Sequence, residues 1–288
     1  MMKQRRISWR AWAAMTVSAL GLVACGGGSS SGGPSVSNMA ANNTIYGRTM
    51  TVTVSGAALS SPDLQLDVQG PCSDMVRATP ALDFQATFTC RVEGIGTITS
   101  VIRDAAGAEL GRLRVNIPAP QVRFTVLQGG RSGVFVVELD PVAAPITALN
   151  FIRYVNAGFY RDTIFHRVLP NQIVQGGQYT TDLSLRPALF DPIKLESDNG
   201  LKNLRGTIAM ARAQDPNSAS AQFYINLVDN PAFDRQGAEI PGYAVFGKLI
   251  TGQEFADELG RVPVASISNE FPSLPLTNIV MTAVVQTQ

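Results

Sequence analysis

Phe165-His166-Arg167-Val168-Leu169-Pro170, followed three residues later by Val174-Gln175-Gly176-Gly177, decides how this chain is read. It sets one guanidinium and one amide on neighbouring strand-like segments among apolar residues. Three further blocks follow in order: Gly206-Thr207-Ile208-Ala209-Met210-Ala211-Arg212, Ala221-Gln222-Phe223-Tyr224-Ile225-Asn226 and Tyr243-Ala244-Val245-Phe246-Gly247-Lys248. Upstream, 122–126 and 133–139 read as a hairpin of strands. Ile146, Leu149, Ile152 and Val155 then recur at helical spacing, with Pro145 near the helix start and Gly158 just past its end. Downstream, 207–211, 222–228, 243–249 and 279–285 are strand-like, and a second short helix is predicted near 254–259. Mostly strands with two helices suits an all-β fold closed into a capped barrel.

The four blocks, in their order and spacing, resemble the cyclophilin family of peptidyl-prolyl isomerases over most of residues 121–288. The resemblance implies an eight-stranded antiparallel barrel with a helix at each end, needing no cofactor. It also implies a site in which Arg167 is catalytic and Gln175 orients it together with the substrate carbonyl. Ile173, Phe223, Tyr224 and Phe233 would line or border a slot for the proline ring. Gln222 would border the groove, Ala211 and Arg212 would offer backbone groups, and Tyr243 stands where many members carry a histidine beside the proline pocket. Gln172 occupies a position where an aromatic residue usually packs on the proline, which weakens the apolar grip. Tyr224 replaces a usual Phe and adds a hydroxyl that needs a partner if buried. A proline-binding chaperone or scaffold with little turnover is the alternative these two departures leave open. His166, the one histidine, reads as a core residue, because bond rotation needs no proton transfer.

Before the barrel, residues 44–118 read as short alternating strands near 50–54, 64–68, 86–90, 98–102 and 113–117, with turn chemistry at Ser60-Ser61-Pro62-Asp63 and Asp104-Ala105-Ala106-Gly107. A small immunoglobulin-like β-sandwich is expected, although no Trp lies between its two cysteines. Ile117-Pro118-Ala119-Pro120 reads as a stiff boundary.

The first 25 residues read as a targeting signal. Lys3, Arg5, Arg6 and Arg10 form a basic start, and 11–23 is an apolar run too short for a comfortable membrane span. Leu22-Val23-Ala24-Cys25 resembles the lipobox of bacterial lipoproteins, in which the cysteine is acylated. Residues 26–43 then read as a flexible Gly/Ser tether. A plain cleaved signal is the alternative, but the tether begins where the signal stops. Gly26 after the cysteine favours the outer membrane under the sorting rule this resemblance carries. Export would let Cys72 and Cys90 pair in an oxidising compartment, stabilising a small domain by about 3 kcal/mol.

Composition sets the outer limits. At 288 residues and 45% hydrophobic content the chain accommodates two modest domains. Its 23 basic and 22 acidic side chains provide no electrostatic footprint for nucleic acid. Three cysteines and one histidine build no ordinary metal site. The expected partners are proline-containing unfolded or exported polypeptides, and the membrane by way of a lipid anchor.

Overall fold

Seven strands form the N-terminal unit, the central ones because they carry apolar residues at every second position and must bury that face. They are β1 (Ser35–Asn42), β2 (Thr49–Ala57), β3 (Gln65–Gln69), β4 (Cys72–Arg77), β5 (Gln85–Val92), β6 (Gly96–Arg103) and β7 (Glu109–Ile117) in a computed structural model that describes residues 33–79 and 81–288. Met50, Val52 and Val54 of β2, and Ala86, Phe88 and Cys90 of β5, alternate into the core. One sheet runs β1-β2-β5-β4 and the other β3-β6-β7, which gives the two layers of a sandwich. Cys72 and Cys90 form a disulfide with Cα atoms 5.7 Å apart, stapling β4 to β5.

The tether expected over 26–43 differs at its distal end. Ser35–Asn42 is strand β1, paired in antiparallel register with β2 from Ser35↔Ala57 to Asn42↔Thr51. Its sequence, Ser-Val-Ser-Asn-Met-Ala-Ala-Asn, is too polar to announce a strand, and only Met39 is buried. Cross-strand backbone bonds hold it, not its own apolar pattern. The expected signal peptide, Cys25 and tether residues 26–32 lie outside the described residues.

The C-terminal unit comprises β8 (Gln121–Gln128), β9 (Arg131–Leu139), α1 (Pro145–Asn156), β10 (Thr163–Ile164), β11 (Arg167–Leu169), β12 (Ile173–Gly176), β13 (Thr207–Met210), β14 (Phe223–Asn226), β15 (Val245–Thr251), α2 (Gln253–Leu259), β16 (Val264–Ala265), β17 (Leu274–Pro275) and β18 (Ile279–Gln286). Nine strands make one antiparallel sheet in the order β10-β18-β8-β9-β15-β13-β14-β12-β11, and β16 and β17 pair separately. The two edge strands are joined by only Phe165 and His166, so the sheet has to curl until its edges meet at that corner. Thr163–Leu169 is in effect one bent stave shared by both edges, and nine strands thereby make eight staves. The inside is aromatic. Phe124, Phe135, Phe151, Tyr160, Phe165, Phe223 and Phe246 are all fully buried.

Helix α1 starts with Pro145 and ends before Gly158, whose φ of +68° is the left-handed backbone a helix terminus often takes. Its buried stripe is Ala148, Phe151, Ile152 and Val155, shifted from the expected one, because Ile146 is exposed. No side chain caps it locally. Glu196, fifty residues away, accepts from the backbone N–H of Ile146 at 3.1 Å and of Thr147 at 2.8 Å. A carboxylate there meets two orphan donors and the positive end of the helix dipole.

The sandwich packs against the barrel through the turn between β1 and β2. Tyr46 is buried, Arg48 Nη2 donates to Asn156 Oδ1 at 2.6 Å, and Gln286 Nε2 donates to Tyr46 O at 3.0 Å. Gly47 lies so close to α1 that a Cβ would sit 2.5 Å from Ile152 Cγ2. Among the described residues, no helix is long and apolar enough to cross a membrane.

Candidate active site

Strand register joins the two polar residues of the opening motif. Arg167 on β11 is directly opposite Gln175 on β12, and Arg167 Nη1 donates to Gln175 Oε1 at 3.0 Å. Directly paired residues share a face of the sheet, while their chain neighbours take the other. Val168 and Val174 therefore point into the barrel, fully buried, and Arg167 and Gln175 point out. The glycines after Gln175 allow this corner to close. A Cβ on Gly176 would lie 2.7 Å from Ile164 O and 2.9 Å from Phe165 Cα.

The outer face continues across the sheet from Gln175 to Tyr224, Ala209 and Val245. With Ile173 these form a second, smaller apolar cluster, against which Leu169, Ala211, Phe233 and Tyr243 pack. A cavity of about 260 Å³ opens there. Arg167, Gln172 and Gln175 line one side, Ile173 and Tyr224 the floor, and Ala211, Arg212, Phe233 and Tyr243 the other side. Tyr224, Phe233 and Tyr243 meet edge to face with ring centroids 5.5–5.8 Å apart, a preferred aromatic geometry. Arg212 is fastened to its neighbours at the cavity wall. Its guanidinium lies over the Tyr243 ring at 4.8 Å, and its Nε donates to Gly242 O at 3.0 Å.

Two sequence expectations need different treatment. Phe223 does not line the slot. It lies on the inner face, opposite Gly176, with its ring centroid 5.4–5.9 Å from those of Phe124, Phe151, Tyr160 and Phe165. One step along the strand flips the side chain to the other face, so Tyr224 outside and Phe223 inside cannot share the pocket. Gln222 borders an adjoining cavity of about 270 Å³ that shares Gln175, Ala211 and Arg212 with the first.

The Tyr224 hydroxyl has the partner its burial demands. It donates to Asn203 Oδ1 at 2.7 Å, and Asn203 in turn donates through its N and Nδ2 to Asp234 Oδ1. Burial first, then the nearby Tyr243 and Asp234, push the Tyr224 phenol well above its ordinary range, keeping it a neutral donor. Asn203 and Leu169 escaped the sequence reading. The only signal for Asn203 was the tyrosine hydroxyl itself, which required a polar residue nearby without saying where in the chain.

Arg167 is partnered by a neutral amide. Among the described residues no carboxylate forms an ion pair with it. Also among the described residues, no group of His, Cys, Asp and Glu is arranged to hold a metal. His166 is buried, 4% exposed, beside Tyr179 and Phe271, with its ring 4.6 Å from that of Tyr179. Burial, and secondarily the Arg167 charge, push its pKa down to about 4. The native state thus holds it neutral while the unfolded chain protonates near pH 6.5, so its contribution is complete above pH 6.5 and is lost as pH falls towards 4. Stability should drop by about 3 kcal/mol over that window. His166→Phe should flatten the dependence between pH 6.5 and 5, as read from urea midpoints. An equally steep slope in the variant assigns the titration elsewhere.

Comparison with known proteins bears on the barrel. Residues 123–284 match the family model described as cyclophilin type peptidyl-prolyl cis-trans isomerase/CLD. Peptidyl-prolyl cis-trans isomerase A of Dickeya dadantii is 46% identical over 153 residues, 52% of this chain and 80% of that protein. The cyp18 isomerase of Streptomyces antibioticus is 42% identical over 160 residues, 54% of this chain and 95% of that protein. Peptidyl-prolyl cis-trans isomerase B of Escherichia coli is 43% identical over 132 residues, 45% and 80% respectively. A barrel of this kind, matched along its length to such relatives, defines an enzyme that interconverts the cis and trans forms of X-Pro peptide bonds. The chain belongs to the cyclophilin-type peptidyl-prolyl cis-trans isomerases.

Proposed function

We propose that this isomerase turns X-Pro bonds in exported polypeptides at the cell envelope, with Arg167 as its catalytic group and Cys25 as its lipid anchor. One observation carries the catalytic part. A guanidinium with no carboxylate partner among the described residues borders a mostly apolar cavity and is held by a neutral amide.

The X-Pro bond rotates slowly because the amide nitrogen shares its lone pair with the carbonyl, giving exchange in roughly 10–100 s unaided. Reaching a turnover of about 10 per second takes only about 3–4 kcal/mol off the barrier. One preorganised donor in a partly dry site is worth about 2.7–4 kcal/mol. An Arg167 N–H donates to the prolyl nitrogen as that atom pyramidalises and its lone pair leaves conjugation. The bond forms only in the twisted state, so it stabilises the transition state over either planar ground state. Ile173, Tyr224, Phe233 and Tyr243 hold the ring, while Gln172 gives the rim a polar edge. Ala211 and Arg212 supply backbone groups to the bound peptide.

The envelope assignment rests on the basic start, the short apolar run, the lipobox-like Leu22-Val23-Ala24-Cys25 and the Cys72–Cys90 disulfide. Two experiments test the proposal. Exchange NMR of an X-Pro peptide with the full chain should show cis and trans signals broadening at substoichiometric enzyme; binding without exchange instead identifies a holding module. Wild-type chain should fractionate with outer membranes and Cys25→Ser with soluble protein. Wild-type chain found soluble ends the anchored reading.

A further inference from the structure

Behind Gln175 a line of side-chain amides runs away from the substrate cavity. Gln175 Nε2 donates to Gln222 Oε1 at 3.0 Å, Gln222 Nε2 donates to Gln178 Oε1 at 3.1 Å, and Gln178 Nε2 donates to the backbone carbonyl of Arg186 at 3.1 Å. Gln178 is the inner member, only 8% exposed, and its own backbone carbonyl accepts from Arg186 N at 2.9 Å. Arg186 is fixed in turn, because its Nη1 donates to the carbonyls of Phe159 and Arg161 just beyond α1. The line thus has a rigid far end.

An amide can present either its oxygen or its nitrogen to a neighbour, so an isolated glutamine has two orientations of similar energy. A chain of three removes that freedom when both ends are committed. The guanidinium can only donate and the Arg186 carbonyl can only accept, and only one sense of all three amides satisfies both. Reversing one would set donor against donor at Gln222 and leave buried polar groups unpaired.

We propose that Gln178 is a positioning residue for the isomerase reaction: it fixes the sense of the Gln222 and Gln175 amides so that Gln175 always offers an oxygen to Arg167. This rests on the reading of Arg167 as the catalytic group. Gln178 acts through two other residues and touches no substrate. Without its acceptor oxygen the line is committed at the Arg167 end alone, so Gln222 is free to turn over for part of the time, Gln175 follows, and an NH₂ group then faces the guanidinium. Arg167 then loses its neutral partner and samples positions that miss the prolyl nitrogen, which lowers kcat and leaves KM nearly unchanged.

Two variants separate this from packing. Gln178→Met keeps the length and volume but removes the acceptor, and Gln178→Glu keeps the acceptor toward Gln222 while adding charge and giving up the bond to the Arg186 carbonyl. The expected result, in kcat and KM for an X-Pro peptide with the full chain, is a fall in kcat of about tenfold for Gln178→Met. Gln178→Glu should stay within about twofold of wild type. A merely structural role predicts the reverse order, since methionine suits a buried site better than a carboxylate. That reverse order, equal losses, or no loss in either variant each overturns the proposal. Should Gln178→Met fail to fold, the wild-type protein still decides. The Nε2 protons of Gln175, Gln222 and Gln178 should give resolved, slowly exchanging NMR signals, and averaged, solvent-exchanging ones overturn the relay. Arg167→Ala is the control: full activity there removes the catalytic reading itself, whereas its loss beside an active Gln178→Met removes only the relay.

Discussion

Arg167→Ala lowers kcat/KM for an X-Pro peptide by about 10²–10³-fold, the loss expected when a single preorganised donor is removed from the transition state. The fall appears in kcat and kcat/KM together, with KM changing little, because the proposed bond to the prolyl nitrogen exists only when that nitrogen is pyramidal. The apolar slot formed by Ile173, Tyr224, Phe233 and Tyr243 is untouched by the substitution and continues to bind the ring. Folding is also spared, since Arg167 makes no ion pair among the described residues and its one side-chain hydrogen bond is to Gln175. Arg167→Lys falls between the two. Its ammonium keeps the charge but loses the planar fork that can hold Gln175 and address the nitrogen at once. Steady-state rates measured by exchange spectroscopy decide the matter, and a change below threefold for the alanine variant rejects Arg167 as the catalytic group.

Phe223→Ala should cost about 3–5 kcal/mol of stability, the range for removing a fully buried aromatic side chain. Its ring touches the aromatic residues of three separate parts of the barrel: strand β8 through Phe124, helix α1 through Phe151, and the α1–β11 segment through Tyr160 and Phe165. Deleting it opens a cavity at the point where helix and sheet meet, and the rigid staves around it close only partly. The urea midpoint should fall accordingly, while folded protein retains its KM. Tyr224→Ala differs in raising KM, because the floor of the slot is lost, and it also lowers the midpoint, because the side chain is buried and bonded to Asn203. If Phe223→Ala raises KM and leaves the midpoint in place, the assignment of these neighbours to opposite faces is wrong.

These neighbours also show what a linear reading reaches. The Phe223-Tyr224-Ile225 run is apolar on both sides, because β14 is buried by the barrel core on one face and by the slot on the other. Without polar alternation no residue in such a run declares its face. Arg167 and Gln175 were easier, because a charge and an amide among apolar residues each leave one face of their strand free for the core. Strand β1 was missed for a related reason, its polar sequence being held by pairing with β2. The amide chain through Gln178 was invisible, because its members are brought together by the turn after β12 and by β14.

The sequence by itself determined the period of every long strand but β1, the helical period of α1, the chemistry carried by the four blocks, and the pairing of guanidinium with amide across two short strands. Those are local properties, written in residue spacing. Only the tertiary structure decided that nine strands close as eight staves, that Glu196 caps α1, that Tyr224 and not Phe223 meets the slot, and that Asn203 satisfies the buried phenol. Each of these joins residues far apart in the chain, and such contacts are fixed by register and by closure of the barrel, which no short window of residues contains.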